Sequence, residues 1–320
     1  MKMIWAVLMI FLSPLLVNAQ DFSLNQGFVS NKNFLIQVPY ENKSDLVIVE
    51  VFVAGKNRRF LLDTGAPTVI TESINNEGGF SSIGKIMSHD VNNKKAEVDV
   101  SRVTNLQLCE LAFNDIPALV TTDDNEVFNL LGIEGIIGSN LLKDVVINIS
   151  SRTHTITVTD DASRLALNGA FSDCMDTKAD NQSSPLLTLS INGNVREDVL
   201  FDTGFDGFYN FSMKRLHDIK SSGAVMITAK GGDNDVYGMY GAASQDESVD
   251  LSIKSFELAG FSFENTVART TPSRSKIGAQ LLRCGDVTLD YKNQHFYFQP
   301  YNGTSSMCMK TQTEAYYCVN

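Results

Sequence analysis

Two stretches of the chain carry the same run of features. VIVEVFVAGKNRRFLLDTGAPTVIT fills Val47–Thr71, and LLTLSINGNVREDVLFDTGFDGFYNFS fills Leu186–Ser212. Each reads as an apolar strand, a turn holding a glycine (Gly55, Gly193), a second apolar strand and then Asp-Thr-Gly. The two aspartates, Asp63 and Asp202, lie 139 positions apart. A second pair of stretches follows at a spacing of 140: IIGSNLLKDVVINISSRTHTITV from Ile136 and KIGAQLLRCGDVTLDYKNQHFYF from Lys276. They set Gly138 against Gly278, Leu141-Leu142 against Leu281-Leu282, and Ile149 against Leu289 without a gap. A shared order at a fixed spacing marks an internal repeat.

Short alternating strands between turn residues predict an all-β chain built as two related lobes. Short helices are expected only after each Ile-Gly element, around Asn140–Lys143 and Gln280–Arg283, and around Met213–Lys220. The halves differ in their loops. Extra residues fall at Gly231–Gly241 in the second half and at Thr121–Gly135 in the first. The expected layout is a leader over 1–19, an N-terminal lobe over 20–160, a polar linker over 161–184, a C-terminal lobe over 185–303 and a cysteine-bearing tail over 304–320.

Composition narrows the function. With 26 Lys plus Arg against 37 Asp plus Glu, the formal charge is −11, which disfavours broad attraction to nucleic acid or anionic lipid. Lys2, the apolar run Ile4–Leu12 and the small-residue end Val17-Asn18-Ala19 read as a secretory leader. The alternative, a membrane anchor, is disfavoured by Pro14 and by an apolar run short of the roughly 20 residues that span a bilayer. Export to the periplasm, cell surface or medium is expected, with no stable membrane insertion once the leader is removed, and the style of the leader points to a bacterial source. Five cysteines (Cys109, Cys174, Cys284, Cys308, Cys318) leave at least one outside any intrachain pairing. The four histidines are scattered without metal-ligand spacing, so no metal and no cofactor is expected.

One Asp-Thr-Gly is ordinary turn chemistry. Two in duplicated frames, each behind an apolar strand and followed by an Ile-Gly element, resemble the aspartic proteases. The specific likeness is to the retropepsin-like family carried as two fused lobes in one chain, as in the pepsins. It covers roughly Asn33–Pro300 and rests on LLDTGA (61–66) with IIGSNLL (136–142), and on LFDTG (200–204) with IGAQLL (277–282).

The resemblance implies two β-barrel-like lobes with Asp63 and Asp202 side by side between them. Like charges about 3 Å apart hold one proton between them. The charged carboxylate then draws a proton from water as the water attacks a peptide carbonyl. Thr64 and Thr203 would cross-link the turns, Gly65 and Gly204 would let backbone approach the carboxylates, and Gly138 and Gly278 would cover them. Ala66, Phe205, Asp206, Tyr237 and Tyr240 are candidates for substrate contact, and Ser88–Ala96 and Gly231–Gly241 for flap hairpins. The expected function is endopeptidase cleavage of peptide or protein by a monomer, with a non-cutting peptide- or protein-binding relative as the alternative.

Two departures stand out. Phe205 sits where the family usually has a small residue, and Ser139 and Ala279 stand where retroviral enzymes carry an arginine, leaving open whether Arg283 partners Asp206. Neither Ala66 nor Phe205 can donate a hydroxyl hydrogen bond to a carboxylate. The pair is therefore expected to hold its proton to higher pH, with a mildly acidic to near-neutral optimum.

Overall fold

The structure, a computed structural model, describes residues 23–302 except 91, 93, 220–221, 231–234 and 245–247. The segments expected as leader and tail lie outside the described residues. The fold is all-β, as the alternation predicts, and each half closes a ring of six strands.

In the first ring, Leu46–Val53 pairs with Lys56–Asp63, which runs parallel to Gly135–Gly138. Val69–Thr71, Leu111–Thr121 and Lys95–Leu108 follow, and the last returns to the first strand at Phe52↔Gln107 and Val53↔Leu106. The second ring repeats this order with Leu186–Ile191, Val195–Asp202, Lys276–Gly278, Tyr209–Ser212, Phe261–Thr271 and Val249–Leu258. It closes at Ile191↔Phe256.

Local chemistry explains the matching hairpins. The two-residue turn between Val53 and Lys56 needs positive φ at both central residues, the type I′ geometry that suits the twist of paired strands. The Ile191↔Val195 pairing leaves three residues, Asn192-Gly193-Asn194, of which the first two also take positive φ. The values are 51° and 77° at Ala54-Gly55 and 48° and 74° at Asn192-Gly193. Asn192-Gly193 is the better sequence for this conformation, since alanine carries a Cβ into left-handed space.

The halves join through a shared antiparallel layer. Val146–Ser150 pairs antiparallel with Gly285–Asp290 in the register Ile147↔Leu289, Asn148↔Thr288 and Ile149↔Val287. Adding 140 to either Ile147 or Ile149 gives the partner of the other, so a local two-fold passes through Asn148 and Thr288. Their side chains meet there, Asn148 Nδ2 donating to Thr288 Oγ1 at 2.9 Å. Thr155–Thr159 and Leu35–Lys43 extend the layer on one side, and His295–Pro300 and Phe171–Cys174 on the other.

Phe171–Cys174 lies inside the stretch expected as linker, in the place that Leu35–Lys43 holds for the first half. All four of its residues are exposed, so it shows no apolar alternation. The helices fall where expected, at Ser139–Leu142, Met213–Ile219 and, as a 3-10 turn, Ala279–Arg283. Two more, Glu72–Gly78 and Glu126–Leu131, begin at Thr71 and Asn125, whose side chains cap them.

In each half a buried charge on the second strand pairs with a more exposed partner on the helix that follows, with the signs exchanged. Buried Arg58 meets Glu77 and Glu134 in the first half. Buried Glu197 meets Arg215 at 2.7 Å and Ser275 at 2.5 Å in the second. Cys109 and Cys174 are free thiols, and Cys284 is disulfide-bonded.

Candidate active site

Both Asp-Thr-Gly turns leave the ends of parallel-paired strands, Asp63 opposite Gly138 and Asp202 opposite Gly278. The hydrophobic strands are clamped in the two barrels, so the turns project toward each other at the lobe junction.

The threonines hold the junction together. Thr64 N donates to Thr203 Oγ1 and Thr203 N to Thr64 Oγ1, both at 3.1 Å. Each hydroxyl then donates across to the other half, Thr64 Oγ1 to Phe201 O at 2.5 Å and Thr203 Oγ1 to Leu62 O at 2.8 Å. All four bonds are buried, so every polar group of the crossing is satisfied without water.

The glycines report how close the carboxyls are. A Cβ on Gly65 would lie 2.6 Å from Asp202 Cγ, and one on Gly204 would lie 2.3 Å from Asp63 Cγ. Only glycine fits where each turn's backbone passes the other's carboxyl. Within its own turn, each aspartate accepts an amide hydrogen bond, Gly65 N to Asp63 Oδ1 at 2.8 Å and Gly204 N to Asp202 Oδ1 at 3.0 Å.

Burial and the neighbouring Asp202 push the Asp63 carboxyl up to about 8, against the Gly65 amide and the more distant Lys276. The folded chain therefore holds this proton more tightly than the unfolded chain, where a carboxyl titrates near about 3.9. The stability so gained is present below that value and is lost as pH rises toward about 8. Asp63→Asn, which cannot ionise, should melt about 2–3 °C above wild type at pH 8–9, the shift that about 1–2 kcal/mol gives a chain of this size. The advantage should vanish near pH 4, and equal melting of the two proteins at both pH values would contradict the shift.

Gly138 and Gly278 cover the turns from behind. Ser139 N donates to Ala66 O at 3.0 Å, and Ala279 N to Phe205 O at 2.8 Å. Ser139 Oγ reaches Thr64 O at 2.5 Å and pairs with the buried Tyr291 hydroxyl at 3.3 Å. From the expected linker, Gln182 Nε2 donates to Gly65 O at 3.2 Å.

Residues 49–140 match the family model described as aspartyl protease. No curated protein matches the chain significantly. The match spans the first barrel from its first strand through Asp63 to the helix after Gly138, and it supports a protease-like function. The second half lies beyond the matched residues, where the repeat and the crossed threonines carry the comparison.

The proposed contact residues divide. Ala66 packs on the apolar cluster of Leu61, Val69 and Ile136. The Phe205 ring covers Gly207 and Gly278 and sits 5.5 Å from Lys276 Nζ. Asp206 is exposed, and Arg283 does not partner it: the guanidinium reaches across the lobes to Asp45, at 2.7 and 2.6 Å.

The two candidate flaps meet. Asp90, at the end of Ser81–His89, accepts the Tyr240 amide at 3.1 Å, and Asn92 Nδ2 donates to Gly241 O at 3.2 Å. Met239, at the tip between Asp235–Gly238 and Gly241–Ser244, accepts from Asn125 Nδ2 at its carbonyl, 3.1 Å away. Tyr237 pairs with Ala242 in that hairpin, and its side chain lies outside the described residues.

One residue of the site escaped the sequence reading. Lys276 Nζ lies 2.7 Å from Asp202 Oδ2, with both side chains buried. The signal was in the repeat: Lys276 occupies the position of Ile136, a cation where the duplicated frame is apolar.

Proposed function

We propose that the chain is an exported aspartic endopeptidase whose two halves are related lobes sharing one active site, with Asp63 and Asp202 as its catalytic pair. The observation that carries this is reciprocal: Gly65 packs on the Asp202 carboxyl and Gly204 on that of Asp63. Two carboxyls so placed cannot both ionise cheaply, so they keep a proton between them. The ionised member takes a proton from water as the oxygen attacks the peptide carbonyl. The protonated member hydrogen-bonds the carbonyl oxygen and then supplies the proton that the leaving amine needs. Peptide or protein is the substrate class, and the meeting hairpins are a cover that must part to admit it.

A second reading, a binding protein that does not cut, draws on the Lys276–Asp202 ion pair, which occupies one oxygen of the Asp202 carboxylate. Incubation with an unfolded protein, with and without a statine-type transition-state mimic, separates the two. Cleavage blocked by the mimic supports the endopeptidase. Tight binding of the mimic with no cleavage at any pH from 3 to 8 supports the binder, and neither result would leave the site without function.

A further inference from the structure

The two turns are near copies, yet the groups around their carboxylates differ. In the first half, Ile136 faces Leu61 in the parallel ladder and is buried with Val69 and Leu119. In the second, the same ladder position opposite Leu200 is Lys276, whose ammonium is turned onto Asp202 Oδ2 at 2.7 Å. Gly204 N already serves Oδ1, so Asp202 has a donor on each oxygen, whereas among the described residues Asp63 has the Gly65 amide and Asp202 itself. The positions that follow each Asp-Thr-Gly, Ala66 and Phe205, carry no donor.

We propose that Lys276 is a positioning residue of this active site, which holds the negative charge on Asp202 and leaves the shared proton on Asp63. The inference rests on the endopeptidase reading above. In a symmetric pair either carboxyl can carry the proton. A buried ammonium against one of them makes the ionised form more favourable there than at its twin. Asp202 is then the base that receives the water proton, and Asp63 the acid that hydrogen-bonds the carbonyl oxygen. Phe205 completes the arrangement by lying over the ammonium and Gly278.

Few other charges bear on the pair. Glu197, next to Lys276 through Ser275, is committed to Arg215. Asp180, on the segment that crosses the first turn, accepts the Gln182 and Ser184 amides. Tyr291 is held by Ser139, Tyr209 is buried below the second turn, and Asp206 is exposed beyond Phe205.

The test compares wild type with Lys276→Met, Lys276→Ile and Lys276→Arg by the pH dependence of kcat/KM on a peptide without titrating groups. Removing the cation strengthens proton binding by the pair, so both limbs of the profile should move to higher pH, by about one unit or more in the Met variant. Activity at pH 5 should fall at least tenfold further than activity at pH 8. Lys276→Arg should keep the wild-type limbs. The Ile variant repeats the side chain of the first half, so it covers the case in which Met fails to fold. A profile that loses height with both limbs unmoved would overturn the inference and leave Lys276 a packing residue. Absence of cleavage in wild type is a different result, since it removes the endopeptidase reading itself.

Discussion

Asp202→Asn is expected to lower peptide cleavage by about 10²–10⁴-fold, and Asp63→Asn by a similar factor, because each removes a group that must give or take a proton. The losses should match while the effects on stability oppose one another. An asparagine at 63 keeps the acceptor for Gly65 N and removes a carboxyl that the fold prefers to keep protonated. An asparagine at 202 strips the buried Lys276 of its counter-ion. Breaking a buried pair from one side typically costs about 3–5 kcal/mol. Thermal melting at pH 7 should therefore place Asp202→Asn below wild type and Asp63→Asn at or above it. If the Asp202→Asn protein cleaves at nearly the wild-type rate, the single-chain pair is wrong, and a homodimer built on Asp63 becomes the better description.

Thr203→Val should destabilise the junction by about 2–5 kcal/mol. The substitution keeps the shape of the side chain and deletes the hydroxyl, leaving Leu62 O and Thr64 N buried without partners. Each orphaned group costs about 1–3 kcal/mol. Thr64→Val should cost a similar amount by the symmetry of the crossing, through Phe201 O and Thr203 N. Activity should fall with stability, since the same bonds align the two carboxyls. The measurement is denaturant unfolding of both variants. A loss under about 0.5 kcal/mol, the scatter of neutral surface changes, would mean that the layer around Asn148 and Thr288 orients the lobes without the threonines.

Part of this arrangement is legible in the sequence alone. The repeat announced an all-β chain in two related halves, each with a strand, a turn, a second strand and Asp-Thr-Gly, because alternation and turn residues are local signals that survive in linear order. The barrels and the facing turns were implied by the family resemblance, and the parallel pairing of Lys56–Asp63 with Gly135–Gly138 came only with the fold. Phe171–Cys174 was hidden because an edge strand exposed on both faces has no alternation to read. Whether Arg283 partners Asp206 was open in the sequence, and the fold pairs it with Asp45 of the first half.

By itself, then, the sequence determined the all-β class, the duplication and the placing of Asp63 and Asp202 in matching Asp-Thr-Gly turns, since each depends on residues near one another in the chain or on a fixed repeat. The tertiary structure alone decided what each carboxyl touches. Lys276 stands 74 residues from Asp202, and only the parallel ladder that sets Gly278 beside Asp202 brings the ammonium within 2.7 Å of it. The same holds for the meeting of Asp90 with Tyr240, 150 residues on. Long-range contacts of this kind depend on strand register and lobe orientation, which no local pattern encodes.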